Sequence, residues 1–156
     1  MNDRAPISTV TSPAAALRLV RIMKIAFVVS AILFLGVIIR LPANAAQPPD
    51  FTLVTAITVV AFADVVLGFV FPRSYLRTGR RAPGDVKPPT PIQRWFTANV
   101  IGFAFLESCS LFGVMLHFLG AELRRSELLI GVGIIATIFF SLGTPPGGEE
   151  GNIAQG

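Results

Sequence analysis

Four runs of apolar side chains, too long and too sparsely charged to be hidden by the rest of the chain, decide what this sequence can become. The first, LRLVRIMKIAFVVSAILFLGVII, covers Leu17 to Ile39, and the second, FTLVTAITVVAFADVVLGFVF, covers Phe51 to Phe71. The third runs from about Phe96 to Leu119 and the fourth from Leu128 to Leu142. A bilayer core of about 30 Å is crossed by roughly 20 residues in helical form, because a helix satisfies its own backbone polar groups and a lone strand does not. The fourth run reaches only about 22 Å at 1.5 Å per residue, so it has to use its flanks, stand upright or thin the bilayer locally. Composition agrees, with 53% hydrophobic and 14% charged residues in 156, where a water-soluble domain carries about a quarter charged. The predicted fold is all-α: a polytopic integral membrane protein, a four-transmembrane-helix bundle with both termini on the same side. It forms a single membrane domain over 1–156, with helices at about 13–40, 51–71, 95–119 and 127–143 and a disordered tail over 144–156.

The helix ends are marked by their usual signals. Ser12 followed by Pro13 reads as an N-cap and first helical position, Pro72 as the end of the second helix, and Gly120 as the end of the third. PANAA, Pro42 to Ala46, carries an A-x-A pattern that would suit a signal peptidase. The long stretch before the apolar run and Arg40 just after it favour a retained first helix instead. Orientation follows from the basic residues. Arg4, Arg18, Arg21, Lys24, Arg73, Arg77, Arg80, Arg81, Lys87 and Arg94 fall on one side, against Arg40, Arg124 and Arg125 on the other. The positive-inside rule then puts both termini and the long second loop in the cytoplasm of a multi-pass cell-membrane protein.

That loop, RSYLRTGRRAPGDVKPPTPIQR, mixes basic residues with Pro and Gly, and is expected to be an extended, mobile connection close to anionic lipid headgroups. Its KPPTP segment is suited to a polyproline II docking element. The formal charge of +4 is accounted for by topology and gives no reason to expect nucleic-acid binding. With one histidine and one cysteine, no metal or cofactor site is expected from one protomer. No phosphate-binding glycine loop and no nucleophile with a nearby base is present, so no enzymatic activity is expected. Cys109 reads as a small packing residue.

Chemistry is concentrated in two acids within apolar runs, Asp64 and Glu107. Counted from the cytoplasmic ends at Phe71 and Phe96, they lie about 10 Å and about 16 Å deep, on helices that are antiparallel and adjacent in sequence. They are candidate neighbours. An ionised carboxylate at such depth costs about 3 kcal/mol or more, and no Lys or Arg stands at the same level to offset it. At least one of the two is therefore expected to hold a proton near neutrality, and the pair to share one if they touch. At 100° per residue Asn99, Phe103, Leu106, Ser110 and His117 cluster within about 60°, with Glu107 about 80° from their line. This predicts a wet polar face carrying Asn99, Ser110 and His117, flanked by Ala98, Gly102 and Gly113, which allow close helix approach. His117 reads as an interfacial residue, with a proton-relay role as the alternative.

The stretch ANVIGFAFLESCSLFGVMLHFLG, Ala98 to Gly120, resembles the carboxylate helix of the rotary ATPase proteolipid, subunit c. In that family a mid-membrane acid is followed by small residues, then an aromatic and a glycine, then an aliphatic run. Glu107, Ser108 to Ser110, Phe112 with Gly113, and Val114 to Leu116 occupy those places here. The resemblance implies that Glu107 takes up and releases a proton. The chain departs from the family in carrying the acid on its third helix and in lacking a glycine-repeat first helix. Two functional classes follow. One is a proton- or ion-linked membrane protein acting through Glu107, together with Asp64; the other is a non-enzymatic accessory or assembly subunit of a larger membrane complex. Four short helices bury little surface alone, so the lipid bilayer and either further copies of the chain or a larger complex are the expected partners.

Overall fold

The computed structural model describes residues 12–41, 50–78 and 89–147. Ser12 starts the first helix, α1 (Pro13–Arg40), by accepting the Ala15 amide on its hydroxyl at 3.2 Å, with Pro13 at the first helical position, where its missing N–H costs nothing. The second helix, α2 (Phe51–Thr78), begins with the Asp50 carboxylate accepting the Thr52 amide at 2.9 Å. It does not stop at Pro72 but runs on to Thr78. A proline weakens the turn before it by removing a donor. Here Arg73 braces that turn, donating from its guanidinium to the Phe69 carbonyl at 2.6 Å and lying over the Phe69 ring.

The third helix, α3 (Pro91–Phe118), starts earlier than the apolar pattern predicts because a capping box precedes it. The Thr90 hydroxyl accepts the Gln93 amide, and the Gln93 side chain accepts the Thr90 amide. It ends in a Schellman turn: Ala121 N–H donates to the Leu116 carbonyl and Gly120 N–H to that of His117, with Gly120 at φ 83°. The fourth helix, α4 (Leu123–Phe139), follows directly and is the shortest, 17 residues. Its helical pattern breaks before the predicted end because Phe140 turns out of the helix to pack its ring against Phe69 and Phe103. Gly147 closes the described part of the C-terminal tail; the rest of the tail, the A-x-A site and most of the second loop lie outside the described residues.

Among the described residues the molecule is all-helical, with four helices, of which α1, α2 and α3 are each long and apolar enough to cross a membrane. Helix α3 is the centre. It packs against all three others, α1 lies against α3 and α4, and α1 and α2 pack on different faces of α3 with no close backbone approach to each other. Contacts at the ends set the directions: Leu41, just past α1, meets His117 near the end of α3, and Lys24 in α1 meets the end of α4. Neighbouring ends therefore gather Arg18, Arg21, Lys24, Arg73, Arg77 and Arg94 at one end of the bundle, the basic end.

Near the basic end the core is aromatic, with Trp95, Phe103 and Phe140 closing over Ala16, Val20 and Leu106. Farther along, Val54, Ile57 and Ala61 of α2 pack with Cys109, Leu116 and Leu129, while Ala31 and Ile38 of α1 pack with Ile130. Between α3 and α4 the spacing is set by glycines. A methyl group at Gly102 would meet the Phe140 ring, one at Gly133 the Ser110 hydroxyl, and one at Gly113 the Ser126 carbonyl at 2.8 Å. Large apolar side chains such as Ile25, Leu33, Val59 and Phe71 point outward from α1 and α2, as a lipid-facing surface requires.

Candidate functional site

Glu107 and Ser108 are consecutive on α3, so their side chains leave the helix about 100° apart. Ser108 faces α2, where its hydroxyl donates to Asp64 Oδ2 at 2.5 Å and also lies 2.7 Å from the carbonyl of Phe105. Glu107 faces α1, with the Ser30 hydroxyl beside its carboxyl. The two acids are therefore not a pair. Each makes a carboxyl–hydroxyl contact between α3 and a different flanking helix, the two contacts lying on either side of the central helix. Measured from the observed ends at Thr78 and Pro91, Asp64 is about 21 Å and Glu107 about 24 Å from the basic end, near the middle of each helix.

Surroundings separate the two sites. Asp64 and Ser108 open into a shallow groove on the surface between α2 and α3, bordered by Ile101, Ala104 and Phe105. Glu107 is half-buried between α3 and α1. The partner of each acid is a hydroxyl. Two cations, Lys24 and Arg73, meet backbone carbonyls instead. Lys24 donates to the carbonyls of Ile138 and Phe140 at 2.5 and 3.2 Å, and Arg73 reaches that of Ser141 at 3.3 Å. These are the free carbonyls at the C-terminus of α4, where positive charge is favoured. Lys24 is thus engaged by the protein's own backbone.

The predicted polar face of α3 is in place but dry. Asn99, Ser110 and His117 are 2%, 1% and 4% exposed. Asn99 donates to the Trp95 carbonyl one turn back at 2.9 Å. Ser110 is pressed against Gly133 of α4, and its hydroxyl has no hydrogen-bond partner among the described residues. His117 is a buried tether, its Nε2 2.8 Å from the Leu41 carbonyl. A carbonyl only accepts, so Nε2 carries the hydrogen. The reason for the difference is α4: its glycines let it approach so closely that it covers the face that helical periodicity alone leaves open. Ser30, the partner of Glu107, had no signal in the sequence beyond being a lone hydroxyl inside an apolar run. Ser108 is conspicuous only as the neighbour of Glu107.

The chain matches no protein-family model, no curated protein and no solved structure.

Proposed function

We propose that this is a four-span protein of the cell membrane, with the basic end in the cytoplasm, in which Asp64 and Glu107 bind and release protons and so couple protonation to the seating of α1 and α2 on α3. The hydrogen count at Ser108 carries the reading. One hydroxyl proton lies between two acceptors, Asp64 Oδ2 and the Phe105 carbonyl, and cannot serve both at full strength. A proton on Asp64 completes the set: Asp64 donates to Ser108, and Ser108 donates to Phe105. Loss of that proton leaves a carboxylate at mid-membrane depth, which costs several kcal/mol without a cation at its level. Its removal therefore acts directly on the α2–α3 contact. Glu107 has the same chemistry toward Ser30 and α1. The resemblance of its surroundings to a proteolipid carboxylate helix supports the same reading.

A hydrophobic carbodiimide, which modifies protonated carboxyls in lipid, tests it. Labelling of the protein in membranes is expected at both acids, to fall as pH rises, and to be lost at one site each in Asp64→Asn and Glu107→Gln. No labelling between mildly acidic and neutral pH overturns the proposal. The carboxyl–hydroxyl contacts would then be fixed packing, and an accessory subunit would be the function to pursue.

A further inference from the structure

Because α4 leans on α3 and α1, it meets α2 only sparingly and leaves a groove between α2 and α4 at the end away from the basic residues. The groove has a volume of about 460 Å³, within the range of sites that hold small molecules. Its walls are apolar: Phe51, Val59 and Phe62 on one side, Leu128 and Leu129 on the other. Two threonines in the α2 wall offer no donor to a ligand, since the hydroxyls of Thr55 and Thr58 donate to the carbonyls of Phe51 and Val54 at 2.8 and 2.7 Å. Among the described residues the remaining polar group is the guanidinium of Arg125, and no carboxylate lines the groove with it. Arg125 also borders a smaller notch that holds Glu122.

A cationic head at one end of an apolar trough about 16 Å long, the distance from Phe51 to Phe62 along α2, matches an amphiphile with a negative head. We propose that the groove binds one anionic phospholipid, its phosphate on Arg125 and an acyl chain along Val59, Phe62, Leu128 and Leu129. Guanidinium and phosphate make a forked, charge-assisted pair that a neutral hydrogen-bond donor does not match. A zwitterionic lipid brings its own cation beside the phosphate and leaves the charge of Arg125 less well matched. The site is independent of the carboxyls and of the orientation of the bundle.

The test is photo-crosslinking of the whole protein in vesicles, using phosphatidylglycerol or phosphatidylcholine with the same diazirine-bearing acyl chain, and mapping the labelled residues. Phosphatidylglycerol is expected to label residues 59–62 and 128–129 at least fivefold more than phosphatidylcholine. Arg125→Gln should bring the ratio close to one, while Arg124→Gln, at an exposed position outside the groove, should leave it unchanged. Leu128→Trp, which fills the trough at an exposed site, should lower labelling at Phe62 by either lipid. Equal labelling by the two lipids in the unaltered protein overturns the proposal. So does a phosphatidylglycerol excess that survives Arg125→Gln, an equal loss in Arg124→Gln, or labelling of Phe62 that Leu128→Trp leaves intact.

Discussion

Ser110 and Gly133 show how tightly single atoms are constrained where α3 meets α4. The Ser110 hydroxyl is buried, has no partner among the described residues and occupies the space that a methyl group at Gly133 would need. Burying an unpaired hydroxyl costs about 1 kcal/mol or more, so Ser110→Ala should be neutral or stabilising in thermal unfolding in detergent. Gly133→Ala should cost about 1–3 kcal/mol by overpacking. In the double variant the clash with the hydroxyl is gone, and the penalty for Gly133→Ala should shrink; equal penalties in both backgrounds would contradict the contact. At Ser108 the expectation is reversed, because the hydroxyl has two acceptors. Ser108→Ala should lower stability by about 1–3 kcal/mol, since it leaves the Asp64 carboxyl without its partner. Asp64→Asn, which keeps a group able to donate and accept, should cost less in the same measurement.

At the level of the helices, α4 is held as much by its neighbours as by its own composition. Lys24 and Arg73 meet the carbonyls at its C-terminal end, and positive charge there contributes about 0.3–1 kcal/mol, rising to about 2 where partly buried. Lys24→Met should therefore destabilise by about 1–2 kcal/mol and speed amide hydrogen exchange in the last turn of α4 before it affects α2; Lys24→Arg should largely restore both. Helix propensity and apolar length made the helices themselves legible in the sequence, and the cap of α1 at Ser12 and Pro13 can be read from the residue types. The passage of α2 through Pro72 cannot, because residue types mark a proline as a break and do not show which neighbours hold the chain helical beyond it. Nor could the dry face of α3, since periodicity says which residues share a side and not which helix will cover it. Asp64 and Glu107 are conspicuous as charges in apolar runs, yet their separation depends on α1 and α2 packing on different faces of α3, a matter of assembly rather than local pattern.

For the whole molecule, among the described helices α1 packs on α3 and α4 and has no close backbone approach to α2. Its ties are the Lys24 contact with the end of α4, the Leu41 contact with His117 and the apolar packing of Ala16, Val20, Ala31 and Ile38 along the helix. A split protein, with residues 1–49 supplied separately from 50–156, should therefore reassemble in membranes and co-purify. Combining Lys24→Met with His117→Ala should reduce recovery of the first fragment several-fold. Failure of the unaltered halves to associate would show that the covalent link, rather than these contacts, holds α1 in place.

The placement of α3 at the centre also bears on biogenesis. A chain made from its N-terminus delivers α1 and α2 first, and these two have no interface with each other. Until the third helix emerges, Asp64 is without Ser108, and Ser30 without Glu107. The nascent protein thus passes through a stage in which these polar groups, each set in an apolar run, have no mate within the fold until α3 arrives.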